Sequence, residues 1–246
     1  MRRFGLVGKQ LDHSFSKQYF TDKFNLLQLA DCIYENYELP AVELILPKLN
    51  SVDGLVGFNI TFPYKELILP LLDDVTEEAL AIGAVNCVKV VNGKYLGHNT
   101  DAYGFAQSIK PFLDNTHERA LLLGTGGASR AAAYALKNLG VDVFIVSRDK
   151  VATGAFFNYE EITAELLKAF LLVINCTTCG TYPHVEELPP IVSDAFTPAH
   201  LLYDMVYNPP QTALMKAASA CGATTINGLS MLKLQAEKSW EIWNAS

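Results

Sequence analysis

The chain has 246 residues, half of them apolar, and a formal net charge of −7. That is enough apolar matter for one large core or two ordinary ones, and no run approaches the roughly 20 apolar residues a membrane helix needs. An acidic balance without a basic cluster argues against nucleic acid or an anionic membrane as main partner, because clustered Lys and Arg drive phosphate binding; a small molecule is the expected ligand.

The opening Met1-Arg2-Arg3-Phe4-Gly5-Leu6-Val7-Gly8 is too short and too glycine-rich for a signal peptide, so a cytoplasmic protein is expected. Phe4 to Gly8 reads as a short buried strand ending in a glycine turn. Ser14-Phe15-Ser16 then leads into a helical pattern through Tyr19, Phe20, Phe24 and Leu27. Two hydroxyls at that junction can cap the helix, the commoner use of serine there, or hold a carboxylate or hydroxyl ligand beside the helix N-terminus.

Ile33 to Leu39 alternates like a strand, and Val42 to Leu49 has helical spacing with a proline inside. Leu55 to Thr61 is a further strand, running into Phe62-Pro63-Tyr64-Lys65. Asn59, Thr61 and Lys65 are polar within apolar sequence, which is costly unless each has a partner. In an extended run Asn59, Thr61 and Pro63 share one side, and Lys65 follows where proline ends the ladder. The segment is then either an edge strand with a polar face or a ligand mouth where amide, hydroxyl and ammonium converge. Leu67 to Leu72 and Glu77 to Ile82 look helical, Gly83 to Val91 reads as turn and strand, and Asn92-Gly93 marks a hairpin with return strand Lys94 to Asn99. Asp101 follows. It is either a helix N-terminal aspartate or one half of a proton-handling pair with Lys65, the two standing at the ends of neighbouring strands. The alternation of strand and helix is that of an α/β layer structure.

The strongest local motif comes next: the strand Ala120 to Leu123, the turn Gly124-Thr125-Gly126-Gly127-Ala128, and an alanine-rich helix. It is a variant dinucleotide fingerprint, with Ala131 in place of the glycine of close helix-to-strand contact. Its glycines let backbone N–H groups approach a pyrophosphate at the helix N-terminus. Val141 to Val146 is the following strand, and Ser147-Arg148-Asp149-Lys150 stands where the adenosine ribose is read. Arg148 and Lys150 suit a 2′-phosphate and hence NADP, whereas Asp149 suits a free 2′-hydroxyl and hence NAD. A short link, Val151 to Phe157, precedes the helical pattern Ile162 to Phe170, so one crossover helix is expected to be shortened or lost. Strands at Leu171 to Asn175 and Leu201 to Tyr207, a helix Thr212 to Ala220, the strand Thr224 to Ile226 and a final amphipathic helix from Gly228 to Trp243 complete the chain.

The five cysteines, at 32, 87, 176, 179 and 221, form no disulfide framework. Cys176 and Cys179 have CxxC spacing, but a zinc site needs a second pair or spaced histidines, so no metal is expected and a strand-to-loop turn is the preferred reading.

Across almost its whole length the chain resembles the shikimate dehydrogenases. The resemblance is carried in order by Ser14-Phe15-Ser16, Gly57 to Lys65, Gly83-Ala84-Val85-Asn86, Asn99 to Gly104, Gly124 to Arg130, Tyr203 to Pro209 and Gly228 to Gln235. It implies a two-domain α/β fold: a mostly parallel substrate-binding and catalytic domain, residues 1–101 completed by 228–246, and a Rossmann-like doubly wound dinucleotide-binding domain, residues 102–227. It implies reversible reduction of 3-dehydroshikimate to shikimate with NADPH, in the pathway to the aromatic amino acids, by a monomer or homodimer. By carry-over, Lys65 and Asp101 are the catalytic pair, and Ser14, Ser16, Asn59, Thr61, Asn86, Tyr207 and Gln235 hold the substrate. Gly124, Thr125, Gly126, Gly127 and Ala128 take the pyrophosphate, Ser147, Arg148 and Lys150 the adenosine end, and Thr177, Met205 and Gly228 the nicotinamide side. Lys17, Asp149, Ala152, Cys176, Thr178 and Cys179 depart from the family pattern and bear on NADP against NAD. An NAD-using quinate/shikimate dehydrogenase is the neighbouring reading, and a non-catalytic dinucleotide-binding module the more distant one.

Overall fold

A computed structural model describes residues 1–11, 14–148 and 156–245. The chain divides into two compact units, Met1–Thr100 with Ala236–Ser246, and Asp101–Gln235.

The first unit runs β1 (Arg2–Gly8), α1 (Phe15–Leu26), β2 (Cys32–Glu38), a 3₁₀ turn and α2 (Ile45–Leu49), β3 (Leu55–Ile60), α3 (Tyr64–Leu67), β4 (Asp74–Val75), α4 (Glu77–Ile82), β5 (Cys87–Val91) and β6 (Lys94–His98). Its sheet has the order β2-β1-β3-β5-β6-β4. β1 pairs parallel with β2 and β3, and β4 with β6, while β3-β5 and the β5-β6 hairpin are antiparallel. Alternation along the strands sends Val7, Phe58 and Ile60 to one face, with Ile45, Tyr64, Ile68 and Ala79. Phe4 and Leu6 go to the other, against Phe20, Phe24 and Tyr34 and against Ala236 and Trp243 of the final helix. Asn59 sits on this second face, where it bonds Tyr34 and Ser239.

In the second unit, α5 (Asp101–Ile109) leads to β7 (Arg119–Leu123), α6 (Gly127–Asn138), β8 (Asp142–Ser147), β9 (Phe156–Asn158), α7 (Ala164–Lys168), β10 (Leu172–Asn175), β11 (Leu201–Asp204), α8 (Ala213–Ala220), β12 (Thr224–Asn227) and α9 (Leu229–Asn244), whose residues from Ala236 onward belong to the first unit. Its strands lie in the order β12-β11-β10-β7-β8-β9, and all pairs are parallel. This is the doubly wound Rossmann order, with its switch point between β7 and β10. The strands read as continuous apolar runs because both faces are covered. Leu121, Leu123, Val173 and Leu202 pack with Leu167, Leu214 and Met215 on one face. On the other, Tyr203 stacks edge-on against Phe105 and meets the Ser108 hydroxyl at 2.7 Å.

Three expectations change. The segment through Lys65 is not extended: β3 stops at Ile60, Tyr64 N–H donates back to Thr61 O at 3.0 Å, and α3 begins at Tyr64, whose ring is buried and whose hydroxyl donates to Leu39 O at 2.6 Å. The helix expected from Leu67 accordingly starts three residues earlier. Two short strands, β4 and β9, carry too few residues to show a period. The link expected to lack a crossover helix falls largely outside the described residues, as do Asp149, Lys150 and Ala152.

Candidate active site

In the first unit the polar residues form a buried network around Asn86. Asn86 ends the turn before β5, and its carbonyl accepts from Ile60 N at 2.9 Å and from Asn59 Nδ2 at 3.1 Å. Asn59 Nδ2 also donates to Ser239 Oγ at 2.8 Å, and Asn59 Oδ1 accepts from the Tyr34 hydroxyl at 2.9 Å. Asn86 Oδ1 accepts from Thr100 N at 2.6 Å, while its Nδ2 donates to Thr100 Oγ1 at 2.9 Å. Thr100 Oγ1 lies 3.2 Å from Ser239 Oγ. Because each amide has distinct donor and acceptor ends, this closed set fixes both asparagines in one orientation.

Lys65, half-buried on α3, is attached to the same turn: its carbonyl accepts from Val85 N at 2.8 Å, one residue before Asn86. Thr61, half-buried, donates its N–H to Val7 O at 2.9 Å. Asp101, buried, is bonded covalently to Thr100 and opens α5. Lys65 and Asp101 therefore do not stand at the ends of neighbouring strands: Lys65 is helical, and β5 lies between β3 and β6.

Of the two readings left open for the Ser14 hydroxyl, capping is not realised. Ser14 has extended backbone at the N-cap of α1 but makes no side-chain cap bond. Its Oγ is buried with no hydrogen-bond partner among the described residues. Ser16, in the first turn, bonds the Tyr34 hydroxyl, whose pKa burial raises well above the ordinary tyrosine range. An orphan buried hydroxyl is costly, which makes Ser14 a group suited to an incoming polar ligand.

The second unit builds a different surface, at the C-terminal ends of its strands. Gly124 N donates to Val146 O at 2.9 Å, and Ser129 Oγ of α6 donates to Gly124 O at 2.7 Å, holding the turn against the helix. Gly124 has φ of +105°, and a Cβ there would stand 3.3 Å from Thr177 Cγ2, so the turn after β7 and the turn after β10 adjoin at the switch point. Gly126 is the N-cap of α6 and so makes no side-chain cap bond, and among the described residues nothing stands within 4 Å of where a Gly126 Cβ would be. A helix N-terminus with no side-chain cap suits a pyrophosphate. Thr125 is exposed, Gly127 and Ala128 are half-buried, and Ala131 is fully buried against the sheet. Ser147, buried, and Arg148, exposed, end β8; Lys150 lies outside the described residues.

Thr177 donates its N–H and its hydroxyl to Asn175 Oδ1, at 3.1 and 2.7 Å. Met205 N donates to Asn175 O at 3.0 Å, and any side chain at Gly228 would overlap Met205 O. Tyr207 is half-buried, and burial raises its pKa. Gln235 is buried on α9, its Nε2 donating to Leu232 O at 2.8 Å. Cys176 and Cys179 are free thiols in the turn after β10, and burial pushes Cys176 up to about 12.

Sequence reasoning missed Tyr34, Thr100 and Ser239 in the first unit and Asn175, Asp204 and Thr212 in the second. Asn175 and Asp204 carried a usable signal, each being a polar residue that ends an apolar strand. Ser239 carried none, because its partners are 139 and 180 residues away in sequence.

Comparison with known proteins adds three results. The family model described as the shikimate dehydrogenase substrate binding domain matches residues 6–88. The shikimate dehydrogenases (NADP(+)) of Chlorobaculum tepidum and Carboxydothermus hydrogenoformans are 34% and 37% identical, over 98% and 97% of this chain and 89% and 90% of theirs. The crystal structure of shikimate dehydrogenase from Aquifex aeolicus aligns with a TM-score of 0.89 at 32% identity, covering 99% of this chain and 92% of that one.

Proposed function

The chain belongs to the shikimate dehydrogenase family, and we propose that its two polar surfaces divide the work of that family's reaction. It is an oxidoreductase of the shikimate pathway, catalysing the reversible NADPH-dependent reduction of 3-dehydroshikimate to shikimate. In this reading residues 1–101, completed by 228–246, bind the substrate and carry out proton transfer, and residues 102–227 hold the dinucleotide.

When bound, NADPH supplies the hydride. Gly124 to Ala128 would hold its pyrophosphate, Ser147, Arg148 and Lys150 its adenosine end, and Thr177, Met205 and Gly228 its nicotinamide side. The chain's own residues must then manage charge. Hydride addition to a ketone leaves negative charge on oxygen, and Lys65 is the ammonium that stabilises it and delivers the proton. Asp101 is its carboxylate partner, favouring the charged amine before transfer. Ser14, Ser16, Asn59, Thr61, Asn86, Tyr207 and Gln235 hold the carboxylate and hydroxyls of the substrate. Asn59 spends both amide protons on Asn86 O and Ser239 Oγ, so what it offers a substrate hydroxyl is acceptor capacity at Oδ1.

The observation that carries this reading is the bond from Val85 N to Lys65 O together with the two bonds between Thr100 and the Asn86 side chain, which tie the lysine backbone and the residue before Asp101 to one turn. Among the described residues no helix is long and apolar enough to cross a membrane. A cytoplasmic enzyme, monomeric or homodimeric, acting on a small molecule without nucleic-acid or membrane partners, is part of this reading, and the net charge of −7 without a basic cluster favours the small molecule over nucleic acid. Lys65→Ala is expected to lower kcat by about 10²- to 10⁴-fold while leaving shikimate binding largely intact. Near wild-type turnover of that variant in a steady-state assay contradicts the assignment.

A further inference from the structure

Asp204 ends β11 with no exposed surface, and no step above uses it. Its carboxylate accepts from Thr212 Oγ1 at 2.6 Å, Asn175 Nδ2 at 3.0 Å and Val206 N at 3.1 Å. Burial raises its pKa, and the bonds from Thr212, Val206 and Asn175 act in the opposite direction. The direction of each proton can be followed. Met215 N donates to Thr212 Oγ1 at 3.2 Å, which leaves the Thr212 hydroxyl proton for Asp204. Asn175 commits its Nδ2 to Asp204, so its Oδ1 faces away and takes both the N–H and the hydroxyl proton of Thr177.

A hydroxyl has one proton and two lone pairs. At Thr177 the proton is spent on Asn175, and Cys179 N donates to the same oxygen at 3.2 Å. What Thr177 Oγ1 still offers is a lone pair. An ionised carboxylate only accepts, whereas an asparagine in place of Asp204 carries a donor end that must oppose either Val206 N–H and Asn175 Nδ2 or the Thr212 hydroxyl proton. Asp204, at the donor end of Asn175, and the Thr177 N–H, at its acceptor end, therefore set the polarity of the row through Asn175 to Thr177 together.

We propose that Asp204 is a positioning residue that keeps Thr177 an acceptor, and so selects a dinucleotide whose reactive ring carries an N–H donor, as the carboxamide of nicotinamide does. The proposal rests on the placement of Thr177 at the nicotinamide side under the reading above.

The test is kcat/KM for shikimate oxidation with NADP and with its 3-acetylpyridine analogue, in which a methyl ketone replaces the carboxamide and no N–H remains. Wild type, Asp204→Asn and Thr177→Val are compared. The intrinsic reactivities of the two rings are common to all three proteins, so a change in the NADP-to-analogue ratio isolates the hydrogen bond. Both variants are expected to lower that ratio about fivefold, the worth of one hydrogen bond, with KM for shikimate within about twofold of wild type. An unchanged ratio in Asp204→Asn, including an equal loss with both dinucleotides, reduces Asp204 to a structural role and overturns the proposal. If Asp204→Asn does not fold, Thr177→Val decides, and an unchanged ratio there overturns it equally. Absence of hydride transfer by the wild type with either dinucleotide would sink the functional reading and this proposal with it, an outcome distinct from an altered ratio.

Discussion

Asn86 shows how much of the first unit's chemistry depends on one side chain. Its backbone N–H donates to His98 O at 3.1 Å, its carbonyl serves Ile60 and Asn59, and its amide closes a two-way lock with Thr100. Such a lock makes Thr100, a fully buried threonine next to Asp101, a residue of consequence. Thr100→Val keeps the shape and removes the hydroxyl that Asn86 Nδ2 uses as acceptor. A buried donor that loses its partner costs about 1–3 kcal/mol, so urea denaturation should show a loss of that size. Asn86 would also become less well oriented, and KM for shikimate should rise. Unchanged stability together with unchanged KM would show that the lock does not position Asn86.

At the scale of elements, α9 is the piece whose placement matters most to the first unit. Its amphipathic pattern was readable, but its seating was not. Trp243 lies directly over Gly57, where any side chain would overlap the indole, and its Nε1 donates to Val88 O at 3.0 Å. Nothing local to either residue announces that pairing. Glu237 fastens the helix to α1 by accepting from Lys23 Nζ at 2.5 Å and from the Tyr19 hydroxyl. Burial works to raise the Glu237 pKa, but the bonds from Lys23 and Tyr19 outweigh it and the pKa is lowered. A lowered carboxylate pKa contributes stability that is present above the unfolded-state value, about 4.3 for glutamate, and is lost as pH falls through the folded-state value. The urea midpoint of the wild type should therefore drop more steeply than that of Glu237→Gln between neutral pH and about pH 3. Parallel curves would remove Glu237 from the account.

For the whole molecule, legibility followed the range of the interactions. The second unit's sheet was readable because strands such as Leu172 to Asn175 and Leu201 to Asp204 are buried on both faces and need mostly apolar side chains. The fingerprint turn was readable because backbone approach to a phosphate demands glycine at fixed spacing. In the first unit, Asn92-Gly93 gave the β5-β6 hairpin, but Thr61 to Pro63 was read as extended up to the proline, since nothing in Phe62-Pro63-Tyr64 reveals that Tyr64 is drawn inward to Leu39. The candidate residues came mostly from resemblance. The groups that hold them, Ser239 behind Asn59 and Asp204 behind Thr177, came only from three-dimensional proximity.

The central claim is that these residues serve a hydride exchange between shikimate and NADP. It is tested most directly by incubating the purified chain with shikimate and NADP, then with NAD at equal concentration, and following formation of the reduced nicotinamide. The account predicts shikimate-dependent reduction of NADP, faster than that of NAD. Binding of the dinucleotide without any shikimate-dependent reduction would contradict it.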